Sequence, residues 1–349
     1  MKKILNFISK TSSGLATGLF ATLIIGTILK QIFTLINFQI GIDIAITLMN
    51  LMGIGIALGV CLSIDKEMSP LELVSIMSVG AISSSINLLA YNNPIPTFII
   101  NGGSKNPLLI YLVIIFLVLI YKKLNIKKTP IDILLKPLII ISIGTILSFI
   151  LIYPCYYLIY GIQKIIEVSI PLLPILMAII ISIVVGMTLT MPISSVAICI
   201  AISIGDFSLA SGAAVIGCTC QMIGFATQAI KAKNGIGKGI SIGIGTSMLY
   251  WPNIIKKPVV WLPTILSSAI LGPLLITLFN IKSTSSGAGM GSSGLVGQFS
   301  ILEAMGYNNP LAYISIFALI ISSIILTLLF EYLFNNILHL YNDDDLKLN

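Results

Sequence analysis

The second half of this 349-residue sequence contains three short stretches in which small and polar residues interrupt long apolar runs. They are residues 188–199 (TLTMPISSVAIC), 239–253 (GISIGIGTSMLYWPN) and 283–298 (STSSGAGMGSSGLVGQ), here called the first, second and third breaks. Transporters build substrate sites from membrane segments that Gly and Pro interrupt in this way. Hydroxyl and amide side chains donate as well as accept hydrogen bonds, so those in the breaks suit a polyhydroxylated solute.

Ten polar residues in or near the breaks are the candidate solute-binding residues. Pro192 ahead of Ser194 suits the start of a half-helix, whose unpaired backbone N–H groups would point at the solute. Glu303 is expected to orient a solute hydroxyl group or to carry a proton, because ionisable residues at membrane depth are costly and usually functional. Gln221 lies in an apolar span, where its amide either bonds another helix or contacts the solute. The ten residues are Ser194, Ser195, Gln221, Thr246, Ser247, Asn253, Ser292, Ser293, Gln298 and Glu303.

Two further residues extend this candidate site. Trp251 in the second break would suit the face of a sugar ring, and Asp206 lies in the polar turn after the first break. The structural alternative is that the small residues of the breaks only let helices pack closely. Three breaks in one half of the chain favour the functional interpretation.

Other kinds of chemistry are not expected from this sequence. The five cysteines are odd in number and lie in apolar runs, so neither a disulfide framework nor a metal site is expected. The single histidine, His339, follows the last apolar run and is expected at the membrane interface. Motifs for ATP hydrolysis and for zinc proteolysis do not occur, and we expect no cofactor. Since no basic cluster has interleaved aromatic residues, we do not expect a nucleic-acid partner either.

The composition indicates a membrane protein of the all-α, polytopic class. About 199 residues, 57% of the chain, are apolar, and the 19 basic and 12 acidic residues make up only 9%. A soluble domain carries about 25% charged residues, so a soluble globular enzyme is excluded. Since a membrane helix needs ~20 apolar residues, the apolar content limits the chain to about ten membrane segments, re-entrant hairpins included.

The apolar runs predict regular spans that alternate with the breaks. Residues 92–106, rich in Asn, Pro and Gly, are predicted to form a loop. The Lys residues place both termini in the cytoplasm if the chain lies in the plasma membrane, and they require the second break to be a re-entrant hairpin. The predicted spans are residues 13–38, 40–64, 70–91, 107–121, 131–160, 170–189, 209–230, 259–279 and 311–334.

Several of these runs together resemble a known family. They are residues 186–204 (GMTLTMPISSVAICIAISI), 212–226 (GAAVIGCTCQMIGFA), 234–258 (NGIGKGISIGIGTSMLYWPNIIKKP), 287–298 (GAGMGSSGLVGQ) and 127–137 (KKTPIDILLKP). The sequence is similar to the EIIC-like membrane proteins of the phosphotransferase system, a family that includes perfringolysin regulator proteins. The similarity is densest over residues 186–305 and weaker over residues 70–150.

The resemblance implies a sugar-permease-like fold and a homodimer in the lipid membrane. Residues 1–169 would form a helical part that dimerises, and residues 170–349 a transport part with broken helices and re-entrant hairpins. Separate EIIB and EIIA proteins would be the phosphotransferase partners. Related sugar EIIC proteins place a His and a Glu at the sugar hydroxyl group that is phosphorylated. The breaks here contain no His, and Glu303 is the residue that would fill the Glu role.

We therefore predict an integral membrane permease for a small polar solute, which the resemblance suggests is a sugar. It would be at most the membrane component of a sugar phosphotransferase, since no phosphoacceptor domain is expected in these residues, and we assign no catalytic residue. Two alternatives stay open. One is a membrane sensor that regulates gene expression, and the other is an ion-coupled secondary transporter.

Overall fold

A computed structural model describes residues 2–89, 97–100, 106–124, 129–170, 172–201 and 208–348 of the chain. The chain divides into two compact units, one up to Leu158 and one from Ile159 onward. Within the predicted loop at residues 92–106, the structure describes residues 97–100, which form a strand rather than a loop, and Asn106. The other residues of that loop and the candidate Asp206 lie outside the described residues.

The first unit consists of helices and one short hairpin. A π-helical turn, Phe20–Ile24, joins the first two helices into one continuous rod. The helices of this unit are α1 (Lys2–Leu19), α2 (Ile25–Leu35), α3 (Gln39–Asn50), α4 (Met52–Ile64), α5 (Pro70–Ser85), α6 (Pro107–Leu124) and α7 (Asp132–Ser169). Helix α7 continues past the division between the units. The two strands of this unit are β1 (Ile86–Leu89) and β2 (Thr97–Ile100).

Glycines spaced four residues apart let α1 and α4 approach closely. Gly14 and Gly18 of α1 face Gly59 and Gly55 of α4, and a methyl group added at Gly14 would overlap the carbonyl oxygen of Gly59. Helices in a membrane associate through such small-residue faces, because lipid is as apolar as the helices and supplies no hydrophobic drive between them.

The end of α5 differs from the predicted third span. The helix stops at Ser85, and β1 then pairs antiparallel with β2, with Ile86 opposite Ile100. The hydroxyl groups of Ser83, Ser84 and Ser85 all bond back to carbonyl groups three or four residues earlier. Serines of this kind are poor helix formers, which is consistent with a helix that ends here.

The second unit contains helices of very different lengths. They are α8 (Pro174–Thr190), α9 (Ser195–Ala201), α10 (Leu209–Lys231), α11 (Ile236–Ile240), α12 (Trp251–Lys256), α13 (Leu262–Phe279), α14 (Ser285–Ala288), α15 (Val296–Met305) and α16 (Pro310–Glu331). The long helix α10 lies at the centre of this unit, where it packs against α8, α13 and α16. Almost all of its residues are buried, so the three breaks are arranged around a buried helix.

The described part of the chain confirms the all-α polytopic class. Six of its helices are long and apolar enough to cross a membrane, and α3 with α4 makes a seventh if that pair, bent by 41° at Leu51, is one span. The apolar helices α5 and α8 are shorter, and the breaks contain no long helix. The predicted total of about ten membrane segments is therefore reached only if short and broken segments are counted.

Candidate functional site

The first break begins where α8 ends. Met191 leaves the helix with an extended backbone (φ −75°, ψ 160°), and Pro192 follows it. The ring of a proline disfavours the helical conformation of the preceding residue, which explains why α8 stops at Thr190. Ser194, which is half-buried, precedes Ser195 at the start of α9.

The second break replaces a span by four short helical pieces. After α11 come a π-helical turn (Ser241–Gly245), a 3₁₀ turn (Ser247–Tyr250) and α12. Thr246 between the two turns is extended, and its hydroxyl oxygen accepts the backbone N–H of Met248 at 3.2 Å. A threonine that caps a helical turn in this way fixes where the turn starts. Trp251 packs edge to face against Trp261, with ring centroids 6.0 Å apart.

The third break turns through the left-handed region of backbone space. Gly291 (φ 53°), Gly294 (φ 54°) and Leu295 (φ 60°) all have positive φ values, and α15 starts directly after them. Glycine adopts this conformation without steric cost, whereas Leu295 pays about 1–2 kcal/mol for it. Strain of this kind persists only where the surrounding structure enforces it, and it is common at functional sites.

Hydroxyl groups join the first break to the other two. The Ser195 hydroxyl donates to the backbone carbonyl oxygen of Gly289, at the start of the third break's turn, over 2.6 Å. The Thr190 hydroxyl, at the end of α8, lies 2.9 Å from the hydroxyl of Ser247 in the second break. All three hydroxyl-bearing residues are buried.

Two consecutive serines join the third break to the second. The Ser292 hydroxyl donates to the carbonyl oxygen of Gly243 at 2.5 Å, and the Ser293 hydroxyl donates to that of Gly245 at 2.8 Å. Each break is thus bonded directly to both of the others. The structure brings together Ser195, Ser247, Ser292 and Ser293, and it places Thr246 beside them in the second break.

These contacts limit what the hydroxyl groups can offer to a solute. A serine hydroxyl has one hydrogen, and Ser195, Ser292 and Ser293 each give that hydrogen to a backbone carbonyl. Their oxygens keep the capacity to accept a hydrogen bond. A solute bound here would therefore have to donate to these residues, as the hydroxyl groups of a sugar can.

Gln298 stands out because its side chain is buried and unbonded. The residue is 6% exposed and lies on the first turn of α15, at the last position of the third break. Neither its amide nitrogen nor its amide oxygen has a hydrogen-bond partner among the described residues. A buried polar group without a partner costs about 1–3 kcal/mol, so an unpaired amide beside the joined breaks indicates a place for a ligand.

Gln221 is in the opposite situation. Its amide oxygen accepts from the indole N–H of Trp261 and from the hydroxyl of Thr264, each at 2.8 Å, and its amide nitrogen lies 3.4 Å from the Ser268 hydroxyl. The sequence leaves two roles open for Gln221, a bond to another helix or a contact with the solute. The structure shows the bond to another helix, because these three partners lie on or just before α13. Its contact with a solute stays a prediction.

Asn253 and Glu303 take no part in the hydrogen bonds that join the breaks. The Asn253 amide nitrogen donates to the carbonyl oxygens of Asp345 and Lys347 in the C-terminal tail, at 2.8 Å each. Glu303 is exposed and follows Gln298 by five residues on α15, which turns it about 140° away from the Gln298 side of the helix. A solute role for these two residues stays a prediction.

The described residues include a buried ion pair that the sequence-based candidate site left out. Glu331, at the end of α16, is almost fully buried and pairs with Lys231, at the end of α10. The Asn335 amide also donates to the Glu331 carboxylate, at 3.1 Å. A signal for it exists in the sequence, because Glu331 is the single acidic residue within the predicted span 311–334. Ionisable groups in such a position are candidates for function.

The cysteines and the acidic residues do not gather into a cluster. In the described part of the chain, no three His, Cys, Asp or Glu side chains are arranged so that they could hold a metal ion. All five cysteines are buried and unpaired. Binding of a neutral polar solute by hydroxyl and amide groups is the chemistry that the joined breaks can support.

Comparison with known proteins gives one match. The model of the family described as "Phosphotransferase system, EIIC" matches residues 9–348, which is nearly the whole chain. Comparison with curated proteins and with solved structures found no match.

Proposed function

Because the chain belongs to the phosphotransferase system EIIC family, we propose that it is a sugar permease whose binding site lies where the three breaks meet. Membership of this family supports a sugar as the solute, a multi-pass membrane protein, and EIIB and EIIA proteins as partners. The proposal goes further than family membership in three respects, which are the binding residues, the particular sugar and the coupling of transport to an energy source.

The unpaired amide of Gln298 is the observation that carries the assignment of the site. An amide offers a carbonyl oxygen and two N–H donors, so it can bond two neighbouring hydroxyl groups of a sugar at once. Binding would satisfy a side chain that is otherwise buried at a cost. Gln298 is therefore the proposed primary contact, with Ser292 and Ser293 as acceptors beside it.

The broken segments also suggest how translocation works. Backbone without regular helix is tolerated at membrane depth only where protein or a water-filled cavity surrounds it. We propose that the joined breaks line such a path, and that their mutual hydrogen bonds keep the site assembled while the second unit moves. Ser194, Thr246, Ser247 and Glu303 remain candidate contacts along this path.

The test is sugar binding by the purified protein in lipid nanodiscs. A panel of hexoses, pentoses and polyols is screened for a rise in thermal stability, because a ligand that binds only the folded state stabilises it by about 2.7 kcal/mol at 100 times its Kd. We expect at least one sugar to raise the unfolding temperature, and Gln298→Met to abolish that rise.

Asn50→Ala, in the first unit, serves as the control that should keep the response. The site assignment fails if Gln298→Met responds to the sugar like the unaltered protein. The sugar-permease proposal fails if no member of the panel binds or is transported into vesicles.

One observation favours a second candidate, the ion-coupled secondary transporter. The buried pair of Glu331 and Lys231 is an ionisable group of the kind that carries protons in such proteins. Uptake into vesicles under an imposed pH gradient, without EIIB or EIIA, distinguishes the two. Gradient-driven uptake that Glu331→Gln abolishes would favour the ion-coupled transporter.

We further propose a homodimer that forms through residues 1–169, with both termini in the cytoplasm of a bacterial cell. Helix α7 supports it, because it exposes large apolar side chains such as Ile133, Leu134 and Leu138, which either lipid or a second copy must cover. Native mass spectrometry in lipid would measure the number of copies. Labelling of an added C-terminal tag in sealed cells would locate that terminus.

A further inference from the structure

The C-terminal segment Asn342–Leu348, here called the tail, is held by side chains of the second unit. Its backbone carbonyl groups, rather than its side chains, receive most of the hydrogen bonds. Asp345 and Lys347 accept from the Asn253 amide at 2.8 Å each, Leu346 accepts from the Tyr250 hydroxyl at 2.9 Å and from the Asn234 amide at 3.0 Å, and Leu348 accepts from the Lys238 ammonium at 2.8 Å.

Two side chains of the tail add specific contacts. Leu346 is fully buried, in one cluster with Phe225, Tyr250 and Tyr341. The Asp345 carboxylate lies 2.7 Å from the Lys257 ammonium. In contrast, the side chains of Asp344 and Lys347 pair only with each other and are mostly exposed.

Together these contacts describe a peptide-binding groove. The tail forms a 3₁₀ turn over Asp343–Leu346 and becomes extended at Lys347. Side-chain donors that bond its carbonyl groups fix this backbone, and pockets for single side chains then supply specificity. Here an apolar pocket holds Leu346, and Lys257 pairs with Asp345, the acidic residue directly before that leucine. The groove is formed by Asn234, Lys238, Tyr250, Asn253 and Lys257.

The groove lies on the same segment as part of the joined breaks. Tyr250 and Asn253, which hold the tail, follow Ser247 by three and six residues in the second break. Ser247 is bonded to Thr190, and the carbonyl group of Gly245 is bonded to Ser293. One end of the second break is thus fixed by the other two breaks, and the other end is fixed by the tail.

We propose that the tail is an exchangeable peptide ligand of this groove, a latch that fixes the second break when it is docked and frees it when it is released. The ligand class is a peptide that forms a short 3₁₀ turn, with an acidic residue directly before a leucine. This goes beyond sugar transport, because the groove and its occupant would exist whatever solute the protein carries.

The first experiment measures binding of the tail as a separate peptide. Protein that lacks residues 342–349 is titrated with a fluorescent peptide of the sequence NDDDLKLN. We expect saturable binding, and binding at least about tenfold weaker to the intact protein, whose own tail fills the groove. The Leu346→Asp peptide should bind at least about tenfold more weakly, because the buried pocket cannot take a charge.

The Lys347→Ala peptide is the matched control, since it keeps the backbone carbonyl that Asn253 bonds and changes only an exposed side chain. It should bind within about twofold of the original peptide. Equal binding of the Leu346→Asp peptide and the original, or equal binding to intact and truncated protein, would overturn the latch.

A second measurement uses the full chain, in case truncation prevents folding. The native cysteines are buried, so a fluorophore can be attached at Asn349→Cys. Excess unlabelled peptide, and separately Leu346→Asp, should lower the fluorescence anisotropy of this label. Release should also speed amide hydrogen exchange over residues 236–257, while exchange in α16 stays the same. Unchanged anisotropy in both cases, or unchanged exchange after release, contradicts the proposal. Neither measurement depends on sugar binding, so the two proposals can fail separately.

Discussion

The Ser195 hydroxyl donates a 2.6 Å hydrogen bond to the carbonyl oxygen of Gly289, 94 residues further along the chain. The backbones around this bond are in close contact, because a methyl group added at Gly289 would overlap the Ser195 backbone. The bond therefore ties the start of α9, in the first break, to the residue that directly follows α14 in the third break.

Removing this hydroxyl is expected to weaken the second unit. Ser195→Ala leaves the Gly289 carbonyl without this donor, at a cost of about 1–3 kcal/mol in the free energy of unfolding. The fluorescence of Trp251 and Trp261, the two tryptophans of the chain, reports unfolding of this unit. Thr277→Ala removes an exposed hydroxyl that bonds only within α13, and it should change stability by less than about 0.5 kcal/mol. Equal effects of the two substitutions would contradict the role of the bond.

Gln221 and Gln298 are expected to respond differently to the same substitution. Gln221→Met leaves the N–H of Trp261 and the hydroxyl of Thr264 without their acceptor, so it should lower the free energy of unfolding by about 2–3 kcal/mol. Gln298→Met removes an amide that has no described partner, so stability without sugar should be unchanged or higher. Chemical unfolding in detergent measures both. A large loss of stability in Gln298→Met would show that its amide has a structural partner.

Replacing only Lys231 of the Lys231–Glu331 pair is expected to lower stability more than replacing both residues. Lys231→Met leaves the Glu331 carboxylate buried without its cation, which we expect to cost up to about 3 kcal/mol. That is the low end for buried pairs, because the Lys231 side chain is 32% exposed and water screens the charge. Lys231→Met with Glu331→Met should be less costly than Lys231→Met alone. If the two single costs simply add in the double variant, the pair contributes no coupling.

Docking of the tail is expected to depend on pH through Asp345. Burial alone would raise the pKa of Asp345, but the Lys257 ammonium and the Asn342 backbone N–H outweigh it, so the pKa lies below its ordinary value of 3.8. A carboxyl whose pKa is lowered by docking stabilises the docked state fully above 3.8, and this contribution is lost as the pH falls below that value.

Anisotropy of the Asn349→Cys label, recorded from pH 6 downward, measures this release. Lys257, directly after α12, is the charged group that faces Asp345, and Asp343, Asp344 and Lys347 are the neighbours of Asp345 in the tail. The Asp345→Asn variant should therefore lose the part of the pH response that begins below 3.8. If Asp345→Asn shows the same pH response as the unaltered protein, that response comes from another titratable group.

Local sequence signals predicted most of the helices. Apolar runs gave the positions of α6, α10, α13 and α16 within a few residues at each end, because a membrane helix must be apolar along its whole length. The bend of 41° at Leu51 was not predicted, since no proline marks it. The hairpin of β1 and β2 was also missed, because β1 lies at the end of a predicted span and β2 lies inside the predicted loop at residues 92–106.

By itself, the sequence determined the class of the protein and the places where its membrane helices break. Hydropathy, Pro192 and the glycines of the third break act within a few residues of their own position, so they can be recognised without a fold. Only the tertiary structure decided which polar side chains are already bonded. Gln221 and Gln298 are the same residue type beside small and apolar neighbours, and the difference lies in partners 40 or more residues away. The local sequence cannot show whether such a partner is present, because helix packing alone brings Trp261 and Thr264 to Gln221.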